Sequence, residues 1–499
     1  MKIPRLAAIA VVFTMSASLV SACSAGSDKT DKDAKTTLKV MYYDERGFYQ
    51  QYGMLFSALY PNIDIQVVST QSIQYEEGKD MQKAQEDFIA EQKPDILMLD
   101  PTALKKRAEE GKLYDLDAFM KKDKYDLEGV VPGVVDYLKS VGGGKLYGLT
   151  PSFYSQAIYY NKDLFQKYGV PLPEDKMSWE QILQLAQRFP TTGTDKDRVY
   201  GMKVGYQTDL YNFGMMIGSS QGLTYINPTT KQLTLNTDSW KKAFETADKA
   251  IKSGTLYTQD PNQAANGATY EDYLLQDPFI AGKVAMLIEG NYMMEQLKEK
   301  DSRLKDKGVQ NWDLVTVPVN PQSPDETTSM SLYQILAIDA KSPNAEAAWT
   351  FLSYVTGDDF ARVTSKSMMN GGFPIRTKYL DDGSGTHHMA AFYSLKPIEN
   401  PLYANYDKLP QQFFMNFSGV QQQSMQAVKD GKKTVAEALD ELQSQGQQML
   451  TEAIAQEKAA KANGDKPAEG GAASGGTTVV ESGSVTASES ASEAPKAAE

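Results

Sequence analysis

Triad or metal chemistry needs residues that this chain scarcely holds. Its only histidines are His387 and His388. As neighbours they point apart on a helix and cannot share one ligand site, and neither lies in a nucleophile motif such as Gly-x-Ser-x-Gly. The single cysteine, Cys23, has no partner for an intrachain disulfide. Carboxylates are the remaining reactive groups, and with 64 acids a sugar-cleaving pair stays open. The other resource is aromatic: 28 Tyr and 18 Phe against four Trp. Aromatic faces cover the apolar faces of a sugar ring, while Asp, Asn, Arg or Glu take its hydroxyls, a binding chemistry that requires no reaction. No catalytic residue, metal ligand or cofactor is expected.

Such side chains need an edge to stand on. The stretch Phe279-Ile280-Ala281-Gly282-Lys283 followed by Val284 to Ile288 reads as a helix-ending turn and a strand buried on both faces. Asn291 is placed to cap a new helix from Tyr292, so Glu289 to Tyr292 sit where a strand ends and a helix begins. In open α/β sheets ligands collect at that edge.

Elsewhere, strands at Leu38–Tyr43, Ile63–Val68 and Asp95–Leu99 alternate with helices at 47–60, 81–92 and 102–110. This alternation predicts a parallel sheet covered on both sides, presenting Tyr43, Asp44, Glu45, Arg46 and Asp100 at strand ends. Gly142-Gly143-Gly144-Lys145 lacks the spacing and the Ser or Thr of a phosphate loop and reads as a turn. Ser178 is expected to cap a helix to about Phe189, and Thr434 with Glu437 to form a capping box. Trp240, Phe244, Ala247 and Ile251 make a core stripe over 237–252. The glycine-rich 200–225 region reads as a loop-rich, partly helical lining that carries Tyr211, and 270–280 as a helix.

The pattern Phe, two residues, Gly-Lys, apolar run, Gly, aromatic resembles the central motif of the family 1 extracellular solute-binding proteins of ABC importers, the maltodextrin-binding type. Lys93-Pro94-Asp95-Ile96, Tyr159-Tyr160-Asn161-Lys162-Asp163 and Gly372-Phe373-Pro374-Ile375-Arg376 match further motifs in the family's order, over about Leu38 to Gln448. The resemblance implies an α/β, two-lobed periplasmic-binding-protein-like fold of type II, with discontinuous lobes joined by three crossings near 152–157, 312–318 and 372–376. The expected lobes are 37–152 with 316–340, and 153–315 with 341–460.

It also implies a monomeric receptor that hands an oligosaccharide to permease subunits without catalysis. The expected contacts are Tyr43, Arg46, Asp100, Tyr154, Tyr211, Asn291 and Tyr292. Tyr154, Tyr211 and Tyr292 are assigned stacking and hydrogen-bonding roles, and Arg46, Asp100 and Asn291 polar ones. Tyr292 stands where many relatives carry Trp. A surface glycosidase and a ligand sensor are the competing readings.

Lys2 and Arg5, an apolar run and Leu19-Val20-Ser21-Ala22-Cys23 form a secretory signal over 1–22, and the last five residues resemble a bacterial lipobox. Acylation of Cys23 would anchor the chain to the outer face of the membrane through a polar tether over 23–36. Loss of the signal's two positive charges takes the formal charge from −13 to about −15. That balance argues against nucleic acid as a partner. Residues 461–499, rich in Ala, Gly, Ser, Thr and Glu, carry no packing pattern and are expected to be disordered.

Overall fold

The computed structural model describes residues 35–73, 81–194, 198–205, 209–258, 269–366, 372–381, 383–403 and 408–463. The signal segment, Cys23, most of the tether and most of the tail lie outside them, while 461–463 end the last helix. Two sheets organise the molecule. The first has five strands in the order Ile63–Ser69, Thr36–Tyr42, Ile96–Leu99, Ile335–Ile338, Gly148–Leu149. Its first three strands run parallel as expected, and Ile335–Ile338 joins antiparallel to both of its neighbours.

The second sheet runs Trp312–Thr316, Gln156–Asn161, Val284–Gly290, Tyr200–Val204. Val284–Gly290 pairs parallel with Tyr200–Val204 and antiparallel with Gln156–Asn161, and it is buried along almost its whole length. One face of this sheet, with Tyr159, Leu287 and Leu314, joins the core that continues into the first sheet. The other face, with Ile158, Met286 and Val315, packs on the helices of the second lobe.

Several local expectations hold. Ser178 and Gln181 cap each other at the start of Trp179–Ala186. The Thr434 hydroxyl accepts from the Glu437 N–H, and the Glu437 carboxylate accepts from the Thr434 N–H. Gly282 turns the chain at φ +73° before the central strand. The first helical stretch is continuous but widens into π geometry over Tyr49–Gly53.

Others are corrected. Tyr200–Val204 is a strand, where a loop-rich, partly helical lining was expected, and Leu210–Ser220 is the helical part. Gly214 and Gly218 lie one turn apart on that helix. A Cβ at Gly218 would stand 2.1 Å from the Trp240 ring, and one at Gly214 2.6 Å from Phe244. These glycines let two helices touch; they do not open a loop. The helix expected over 270–280 stops at Leu274, and Asp277 and Pro278 turn the chain instead.

The expected boundary at 341 also moves. The Ala345–Val355 helix lies on the first sheet: Phe351 stacks on Phe48 at 5.8 Å and meets Phe56 edge-on at 5.0 Å. Trp349 Nε1 donates to Asp123 at 2.7 Å, and Arg376 Nη1 donates to the Asp126 carbonyl at 2.7 Å. The short connection from Ile338 leaves this helix on the sheet that the chain has just left. After the Phe373–Pro374 strand pairs with Ser152–Phe153, the helices Gln411–Lys429 and Val435–Asn463 pack on the second lobe.

Candidate functional site

Register places three first-lobe groups at one sheet edge. Tyr43 follows the Thr36–Tyr42 strand, Asp100 follows Ile96–Leu99, and Ile335 pairs with Leu99, so Tyr333 and Gln334 come in at the same end. Gln334 is held by the Tyr52 hydroxyl. Tyr43 and Tyr333 are both more than half exposed, unusual for rings flanking buried strands.

The second sheet brings the end of Val284–Gly290 beside the start of Gln156–Asn161, where Gly290 pairs with Gln156. Tyr154 stands at the junction of the two edges. Its backbone N–H donates to Ser331 O at 3.0 Å and its carbonyl accepts from Ser331 N at 2.9 Å. Its ring lies 6.5 Å from Tyr333 and over Gly290, where a Cβ would stand 2.6 Å from the Tyr154 oxygen. Burial first, and the Glu289 carboxylate second, push the Tyr154 hydroxyl up to about 12, which keeps it a neutral donor. Tyr159 fixes the edge from beneath by donating to Gly290 O at 2.7 Å.

Of the seven expected contacts, Tyr154 is at the junction, and Tyr43, Asp100 and Tyr292 stand exposed at strand ends. Asp100 Oδ1 accepts from the Ala103 N–H at 2.8 Å, capping the Pro101–Glu109 helix. Arg46 is exposed on the short helix that Asp44 caps. Tyr292 belongs to a second tyrosine group: its hydroxyl bonds with Tyr273, which stacks on Tyr270 at 5.7 Å.

Two expected residues are placed elsewhere. Asn291 is 3% exposed and makes no side-chain cap, because its own backbone is already helical. Tyr211 packs on Phe244 at 5.9 Å and accepts from Gln421 Nε2 at 2.7 Å, inside the helix layer of the second lobe. Sequence reasoning passed over Tyr333, whose position two residues before a buried strand was the available signal. Tyr270 and Tyr273 were read only as helix. A recess of about 580 Å³, including its open mouth, is lined by Ser152, Met294, Lys298, Phe373 and Pro374, among others, and by none of the expected contacts.

All four tryptophans are buried, so the rings available at these edges are tyrosines. Among the described residues no group of three or more His, Cys, Asp or Glu could hold a metal ion, and no helix is long and apolar enough to cross a membrane.

Residues 34–361 match the family described as bacterial extracellular solute-binding protein. A protein of Brucella abortus with a provisional binding-protein name is 26% identical over 330 residues, 64% of this chain and 71% of that one. The multiple sugar-binding protein of Streptococcus mutans is 24% identical over 245 residues, 47% of this chain and 52% of that one. In fold, the sugar-binding protein MalE of Xanthomonas citri aligns over 84% of this chain and 98% of that one, with a TM-score of 0.57 and 17% identity. With two sheet-centred lobes and a family match over residues 34–361, the chain belongs to the family 1 bacterial extracellular solute-binding proteins.

Proposed function

We propose that this protein captures a sugar or polyol between its lobes and delivers it to the membrane subunits of an ABC importer, without reacting on it. The junction at Tyr154 carries the reading: a neutral tyrosine donor and a second exposed ring, Tyr333, stand where the strand ends of both sheets converge. Such an edge offers apolar faces and hydroxyl partners together, as sugar rings require. Contacts from both lobes would favour a closed form, and closure shifts only as far as the ligand prefers it. The sugar-binding relatives support the ligand class. Lipidation of Cys23 would hold the receptor beside its permease.

The glycosidase reading requires two available carboxylates. Asp277, whose charge acts on Glu289, is already engaged: its Oδ1 accepts from the Phe279 and Ile280 N–H groups and its Oδ2 accepts from Lys203. That commitment favours binding without turnover. A thermal-shift screen over sugars and polyols is the test, since a ligand at a hundred times its Kd should add about 2.7 kcal/mol. Cleavage of an oligosaccharide, or no stabilisation by any sugar or polyol, would refute the proposal.

A further inference from the structure

Two charged side chains share the face of the second sheet that continues into the first, and a third, Asp277, reaches them from the turn before the central strand. Lys203 pairs in register with Leu287, and Glu289 lies two residues farther along the same strand, hence on the same face. The lysine would be the natural partner of Glu289, yet its Nζ donates to Asp277 Oδ2 at 2.7 Å. Lys203 and Asp277 therefore neutralise each other. Glu289 is left with one hydrogen bond, Oε1 accepting from its neighbour's Gly290 N–H at 2.8 Å, and with no cation within ion-pair distance among the described residues. It is the last residue but one of the central strand, pairing with Ala157 beside the Gly290–Gln156 pair, and so stands at the junction.

The second oxygen of Glu289 is not among the enclosed polar atoms that lack a partner, so it is open to a donor from outside the protein. We propose that Glu289 selects ligand charge: its free oxygen takes hydroxyl or ammonium donors from a neutral or amino-substituted sugar or polyol, and its uncompensated charge turns away the corresponding acids. This rests on the reading of the junction as the solute site and goes further, by naming the class admitted and the class refused. Two like charges a few Å apart in a partly desolvated site repel, and the expected cost is about a tenfold or larger loss in affinity.

The test uses the full chain and matched probes of one carbon skeleton and configuration: glucitol, gluconate and glucamine, with glucose, glucuronate and glucosamine as the ring set, titrated by calorimetry. Wild type should bind a neutral or amino member at least tenfold more tightly than its acid. Glu289→Gln keeps the shape and removes the charge, and should shrink that ratio about tenfold or more. Glu289→Asp keeps the charge and should retain the discrimination, so a folding defect in one variant does not end the test. An unchanged ratio in Glu289→Gln, or acids bound as well as neutrals by wild type, overturns this inference while the solute-binding reading stands. Failure of wild type to bind any of the six overturns this inference, while the solute-binding reading is decided by the broader sugar and polyol screen.

Discussion

The two sheets treat the polar residues at their strand ends in opposite ways. In the first lobe Asp44 accepts from the Gly47 N–H, Asp100 from the Ala103 N–H, and Ser69 donates to the Tyr43 carbonyl, so the polar atoms serve the backbone and the rings are left exposed. In the second lobe Asn291 makes no cap and Glu289 has an oxygen to spare, while Lys203 and Asp277 pair with each other. One edge is locally satisfied and presents aromatic surface. The other keeps a charge only partly satisfied, a condition that proteins maintain where a ligand will complete it.

This contrast can be broken most forcefully at the level of the lobes themselves. Trp349 is 1% exposed, stacks on Phe119 at 5.7 Å and bonds to Asp123 from a helix on the first sheet. Trp349→Ala should cost about 3 to 5 kcal/mol and should melt protection in the first lobe first, read by hydrogen exchange. If amides around Trp240 lose protection instead, the assignment of 345–355 to the first lobe fails. Next comes the junction. Tyr154→Phe removes one donor and should weaken the solute by about tenfold with little change in thermal midpoint; Gly290→Ala, which forces Tyr154 off its seat, should weaken it more, by about a hundredfold or above, and lower the midpoint modestly. Equal and small effects from both would mean that the ligand never meets this ring.

What the sequence made legible was whatever depends on near neighbours. The apolar run Val284 to Ile288 between a glycine turn and a polar end, the Ser178 cap and the Thr434 capping box are set within a few residues and came through. Asn291 was misjudged because a good capping residue yields when tertiary packing has already put its backbone in the helical region. Gly214 and Gly218 read as loop residues, although their i, i+4 spacing was a sign of close helix contact. Periodicity shows that 345–355 has an apolar stripe but not which sheet will cover it. The isolation of Glu289 depends on Lys203 reaching Asp277, 74 residues away, and no local pattern records that choice.

The Glu289 charge gives a finer handle on the contrast through pH. Burial foremost raises its carboxyl above the ordinary Glu value, against smaller opposing effects from the Gly290 N–H and Lys203. A carboxyl with a raised folded value holds its proton in the native state where the unfolded chain has released it. Its contribution to folding is therefore present at acid pH and is lost as pH climbs through the window above the usual Glu range. Glu289→Gln should match wild type near pH 4 and melt higher at about pH 7. Solute affinity should run the other way in wild type, rising through the same window as the acceptor ionises. Melting curves that stay parallel across that range would mean that Glu289 is solvated after all.

The smallest expected effect decides whether the first-lobe edge is as self-contained as its hydrogen bonds imply. Asp100 caps a helix that starts with Pro101, and loss of such a cap to alanine typically costs about 1 kcal/mol. Asn caps nearly as well as Asp but carries no charge. Asp100→Ala should therefore lower the thermal midpoint slightly, Asp100→Asn should restore it, and neither should change solute affinity by more than about twofold. The informative outcome is a split between the two readouts. If Asp100→Asn regains stability yet binds poorly, the free Asp100 oxygen grips the ligand, and the first lobe adds a charged contact to its tyrosines. The closed form would then hold its solute between two carboxylates, one on each sheet, and selection against acids would be shared by both lobes instead of resting on Glu289 alone.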